Sequence, residues 1–194
     1  MKKKSKTKWS TRDLMISMVI GLSFGVLLVP VTYAYAALLS LGILSRALLS
    51  GVYYLPAAFA AYVVRKPGSI LLVSLVSAVA AMPFTPYGFI ILLVGALTGV
   101  VGELVIWLFT RYHNFPSLRF IAAGVVAGLI EFGLILASLR STEELGLGIL
   151  AIAFLLSAFT FGLAAGLAKL LANAVARTGV LANTALGQVN ADEI

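Results

Sequence analysis

Of the 194 residues, 61% are apolar and 11% charged, and none is cysteine. A soluble domain carries about 25% charged residues, so the composition excludes a water-soluble globular fold. The missing cysteines exclude disulfides, thioether-linked haem and cysteine-based zinc sites. The net charge of +7 comes mostly from a basic cluster in residues 2–12, which reads as a topology signal beside anionic headgroups, not a nucleic-acid patch.

Six apolar segments, at about 13–38, 45–64, 69–83, 87–110, 118–139 and 147–175, are long enough or nearly so to cross a bilayer, which takes ~20 apolar residues. Runs such as 69–83 and 89–109 lack the alternation of barrel strands. In lipid the backbone must then satisfy itself as helices. The expected fold is all-α: a six-helix integral membrane bundle forming one domain over residues 1–194. Threaded with the N-terminus inside, the inner segments collect Lys2, Lys3, Lys4, Lys6, Lys8, Arg12, Arg65, Lys66, Arg111, Arg119, Lys169 and Arg177. The outer segments collect only Arg46 and Arg140. The positive-inside rule then places both termini in the cytoplasm.

Asp13 opens the first segment, and Gly21 and Gly25 form a GxxxG spacing. Small residues four apart let another helix approach closely, either within the chain or from another membrane subunit. Pro30 can kink the outer turn, and Tyr33 and Tyr35 follow at the outer interface. The run is too long for a signal-peptide core, and no clear small-residue cleavage site follows, so it is expected to be retained. A short apolar link at 38–44 leads to Arg46, read as snorkelling at the outer headgroups or as a lid or ligand contact. Tyr53, Tyr54 and Pro56 lie deeper than an interface belt requires, which suits a cavity.

Arg65, Lys66, Pro67 and Gly68 make a tight inner turn. The third segment is short, ends at Pro83 and carries Ser74 half way along; it is expected to tilt or stop below the outer surface. The link MPFTPYG at 82–88 is stiff, able to cover a pocket or to serve as a plain connector. Thr98 and Glu103 lie in the fourth segment and Glu131 near the middle of the fifth. An acid at membrane depth costs a few kcal/mol and normally faces a cavity or a partner. His113 reads as a surface residue, Glu143 and Glu144 as solvated link residues. Ser157, Thr160, Gly162 and Gly166 suit close packing in the sixth segment. The tail from Arg177 is expected to be cytoplasmic and partly amphipathic.

No P-loop is present, so the chain cannot itself use ATP. No HExxH occurs, and one histidine cannot build a histidine-rich metal site. No enzymatic activity, cofactor or nucleic-acid partner is expected. What remains suits capture of one small organic molecule and dependence on partners for energy. Tyr53, Tyr54, Ser74, Thr98 and Glu131 are the substrate-binding candidates, with Glu103 either a ligand contact or a packing anchor. Alternatives are a stand-alone permease or scaffold in which Glu103 or Glu131 relays protons and, weakest, a membrane enzyme.

The runs GVYYLPAAFAAYVVRKPG, TGVVGELVIW and ARTGVLANTALG resemble the membrane-embedded substrate-binding (S) components of energy-coupling factor (ECF) transporters, of the YkoE type associated with thiamine and its hydroxymethylpyrimidine precursor. The resemblance covers residues 51–187 and is most specific at RKPG (65–68), GE (102–103) and TGVL (178–181). It implies a multi-pass plasma-membrane protein with both ends inside and a vitamin-sized ligand held near the outer face. It also implies partners: a transmembrane coupling subunit, met by a small-xxx-small face that Gly21 and Gly25 match with glycine in place of alanine, and two cytoplasmic ATPases. Glu103 is kept. Thiamine-type members carry a carboxylate where this chain has Ser74, another at Ala47, an amide at Thr98 and a tryptophan at Tyr53. A buried cation without a counter-charge is costly, although stacking on Tyr53 or Tyr54 offers ~0.5–2 kcal/mol. A neutral pyrimidine-like or other aromatic metabolite is therefore the alternative ligand.

Overall fold

The computed structural model describes residues 9–38, 42–138, 146–181 and 184–187. The first five lysines, residues 39–41 of the 38–44 link, Arg140, Glu143, Glu144 and the tail beyond 187 lie outside the described residues, and so do the expectations placed on them. The described residues form α1 (Thr11–Leu38), α2 (Ile43–Val64), α3 (Ser69–Ala81), a 3-10 turn (Met82–Phe84), α4 (Ile90–Thr110), α5 (Ser117–Ser138) and α6 (Leu147–Arg177), with no strand among them. All but α3 are long and apolar enough to cross a membrane. At 1.5 Å per residue, α3 is ~20 Å long and falls short of a ~30 Å hydrocarbon core. It passes into the turn at Pro83, as the weak third segment suggested.

α2 is the hub. Of its most apolar stretch 72% is buried, against 28–39% for the other long helices, which turn broad apolar faces outward. It packs most extensively against α6, while α5 also lies on α6 and α3 sits between α1 and α4. Small residues set these approaches. A Cβ on Gly51 would lie 2.4 Å from the Thr160 carbonyl, and one on Gly128 2.8 Å from the Ser157 carbonyl oxygen. Gly21 and Gly25 behave alike: added Cβ atoms would meet Val76 at 2.7 Å and Ala80 at 2.6 Å. The GxxxG face of α1, implied as a docking face for a partner subunit, is therefore occupied by α3 of the same chain.

The helix ends follow local chemistry. Ser10 and Asp13 form a capping box at the start of α1: the Ser10 N–H donates to Asp13 Oδ2 (2.9 Å) and the Asp13 N–H to Ser10 Oγ (3.2 Å). Asp13 also pairs with Lys66, and Trp9 Nε1 donates to the Pro67 carbonyl at 3.0 Å, tying α1 to the α2–α3 turn. That turn needs left-handed backbone at Arg65 (φ 52°) and Gly68 (φ 88°). Arg65 stacks over the rings of Tyr62 and Phe115 at 5.0 and 5.1 Å. Lys169 donates to the Phe115 carbonyl (3.1 Å) and Ser117 Oγ (2.8 Å). One end of the bundle is therefore basic. The opposite end carries Tyr35, Arg46 and Tyr87.

Candidate functional site

Toward the tyrosine end lies a partly open cavity of about 260 Å³, lined from α1 (Thr32, Tyr35), α2 (Ser50, Tyr53), the α3–α4 link (Tyr87), α4 (Ile90, Ile91, Val94) and α5 (Glu131, Ile135). An apolar cavity of ~150 Å³ takes benzene, so this space suits one substituted ring. Tyr35 meets Tyr53 edge-on at 5.9 Å and Tyr87 at 6.5 Å. The Tyr53 hydroxyl donates to Thr32 Oγ1 at 3.1 Å. Desolvation raises the Tyr87 phenol above its ordinary value, partly offset by the Arg46 guanidinium.

Glu131 is the acidic residue of the cavity lining. It is 3% exposed. One carboxylate oxygen accepts the Thr98 hydroxyl at 2.6 Å, and the other, Oε2, has no partner among the described residues. A buried acceptor left unpaired costs ~1–3 kcal/mol, more for a charged group. The Tyr87 hydroxyl is also shielded and has no partner among the described residues. The cavity thus brings Glu131 and three tyrosines together with aliphatic walls. That arrangement can orient a flat molecule bearing N–H or O–H donors.

The sequence candidates divide. Tyr53 and Glu131 line the cavity, and Thr98 holds Glu131 from behind. Ser74 lies in an adjoining small pocket with Thr98 and Tyr53. Tyr54 does not reach the cavity: it is fully buried and stacks on Phe161 at 5.0 Å. Glu103 is at the basic end. Its Oε1 accepts the Gly68 N–H (2.5 Å) and the Tyr112 hydroxyl (2.6 Å), and its Oε2 accepts the Ile70 N–H at 3.3 Å. It caps the N-terminus of α3, where a carboxylate satisfies orphan amides and the helix dipole. Sequence reasoning passed over Thr32, Tyr35, Ser50 and Ile135 as lining residues. Tyr87 had one signal, its place in the stiff 82–88 link.

A crystal structure of an S component of an ECF transporter superposes with a TM-score of 0.86, over 96% of this chain and 95% of that one at 24% identity, so the two share a fold. A Bacillus subtilis (strain 168) protein named as an HMP/thiamine permease protein, YkoE, is 26% identical over 93% of this chain and 91% of its own length. Residues 12–130 match the family described as ABC-type cobalt transport system, permease component. With its long apolar helices, the chain is a multi-pass plasma-membrane transport protein, and it belongs to that permease-component family.

Proposed function

We propose that this chain is the substrate-capture subunit of an ATP-driven ECF-type importer, and that the tyrosine-end cavity binds a small single-ring, vitamin-like molecule of the hydroxymethylpyrimidine or thiamine class. The observation that carries the reading is Glu131, a lining residue of a ring-sized cavity whose Oε2 has no partner among the described residues. An exocyclic amino group is the donor such an oxygen lacks, and the tyrosines supply faces for the ring. The charge distribution supports an outward-facing tyrosine end and cytoplasmic termini, with the transmembrane coupling subunit and two ATPases supplying the energy. The name of the Bacillus subtilis relative points to the same vitamin class. The word cobalt in the family description does not fit this donor set. The chain has no cysteine, and its one histidine lies in the α4–α5 link at the basic end. A lone carboxylate among tyrosines and hydroxyls suits an organic ligand better than a transition metal. Proton relay is poorly served too, because Glu103 is spent capping α3 at the far end.

The test is thermal-shift and calorimetric binding on detergent-purified protein against hydroxymethylpyrimidine, thiamine, other vitamins and aromatic metabolites. A ligand that binds only the native state adds ~2.7 kcal/mol of stability at a hundredfold excess over Kd. Glu131→Gln turns an acceptor into a donor while keeping the Thr98 contact, so affinity should fall by ~1.5–3 kcal/mol, or ~10–150-fold. Silence across the panel, or uptake that follows the proton gradient and vanishes in Glu131→Gln, would overturn the reading.

A further inference from the structure

Beside the main cavity lies a pocket of about 30 Å³, lined by Leu28, Pro56, Ser74, Ser77, Gly95 and Thr98 among others. Its volume is about one water molecule's share of the liquid. The two spaces share three wall residues: Tyr53, Ile91 and Val94. Ser74, on the small-pocket side, is 6% exposed and its hydroxyl has no partner among the described residues. Its neighbour Ser77 is already engaged, donating to the Gly21 carbonyl at 3.0 Å. A second link crosses between the spaces, because Thr98 lines the small pocket and donates to Glu131 on the large one.

Tyr53 is the largest part of this wall and the one whose position is set by directional bonds. Thr32 donates to the Leu28 carbonyl within its own helix at 2.9 Å, which orients its oxygen to accept the Tyr53 hydroxyl at 3.1 Å. The Tyr35 ring meets Tyr53 edge-on. We propose that Tyr53, latched to Thr32, is a specificity-determining partition: it closes the Ser74 pocket off from the ligand chamber and so limits the size of substituent that a bound ring can carry. The inference rests on the cavity being the substrate site. Without the Tyr53 ring the spaces merge, and the Ser74 hydroxyl becomes a ligand-facing group.

The chain contains no cysteine, so Ser74→Cys supplies the sole thiol, and labelling by a trimethylammonium methanethiosulfonate in nanodiscs reports access without any ligand. Ile135→Cys, on the main cavity, is the reference. With Tyr53 in place, Cys at 135 should react and Cys at 74 should not. Tyr53→Ala should raise labelling at 74 more than tenfold. Thr32→Val, which keeps the ring but removes one neutral hydrogen bond, should raise it about fivefold. The same backgrounds, without the cysteine, are then titrated with aminopyrimidines carrying methyl, ethyl or propyl groups at each ring position. Tyr53→Ala should relax the wild-type size limit at one position, by about fourfold in affinity per added methylene. Equal labelling at 74 with and without Tyr53 overturns the partition, as does an unchanged size limit in a variant that still binds. Faster labelling at 74 together with a wild-type protein that binds no pyrimidine upholds the partition and sinks the vitamin reading. No reaction at 135 sinks both.

Discussion

Replacing Glu103 should cost stability and leave the ligand site intact. Its carboxylate accepts two amides at the start of α3 and the Tyr112 hydroxyl, 2.5–3.3 Å away. A lost helix cap costs ~1 kcal/mol. A hydrogen bond to a charged group contributes ~1.5–3 kcal/mol, and a shielded hydroxyl left alone costs ~1–3 kcal/mol. These terms overlap, so Glu103→Ala should lose ~3 kcal/mol in total, and Glu103→Gln, which keeps one acceptor oxygen, ~1 kcal/mol. For a chain of this length ~1 kcal/mol corresponds to roughly 2–4 °C in Tm. The alanine variant should therefore melt ~6–12 °C low, and the glutamine variant a few degrees low. The assay is thermal unfolding in detergent, paired with ligand titration of the folded protein well below Tm. A Glu103→Ala protein that melts like wild type but no longer binds ligand would refute the reasoning and make Glu103 a ligand contact.

Tyr112 should respond to alkaline pH. Burial, then the Glu103 carboxylate, pushes its phenol above the ordinary value of 10.0. The unfolded chain thus releases this proton at a pH where the native state still holds it. The contribution is complete below pH ~10 and declines as pH rises above it, so Tyr112→Phe should flatten the alkaline arm of a stability–pH curve, and an identical arm would argue against the Glu103–Tyr112 contact. Gly51→Ala should destabilise by ~1–3 kcal/mol, because its Cβ would fall 2.4 Å from α6 backbone that cannot swing aside. Gly133→Ala, whose Cβ would sit 3.8 Å from the Phe154 ring, should be neutral or gain up to ~1 kcal/mol of helix propensity. Equal melting of the two variants would contradict the close α2–α6 approach.

Much of the site lay open to sequence reasoning, because an acid in an apolar run stands out whatever its neighbours. Glu131 stands out on cost alone, and it is the acidic residue that lines the cavity. Glu103 was singled out by the same argument and does different work. Its role depends on Gly68 and Ile70, more than thirty residues away, and no local pattern reveals that pairing. Tyr53 and Tyr54 show the limit at its finest. Consecutive residues on a helix point ~100° apart, so one faces the cavity and the other is stacked on Phe161. Telling them apart requires knowing where α6 lies.

The sequence by itself determined where the long apolar helices run and where the 65–68 turn falls. Hydropathy, proline and left-handed turn residues act over a few neighbouring positions, and lipid forces an apolar stretch to satisfy its own backbone. It also determined that small residues mark close approaches. Only the tertiary structure decided what fills each approach: α3 against Gly21 and Gly25, and α6 against Gly51. It alone brought Tyr35, Tyr53, Tyr87 and Glu131 from four separate elements to one cavity. The physical reason is that helix rotation and choice of neighbour are settled by packing summed over whole faces, a property of all the helices together and of no single segment.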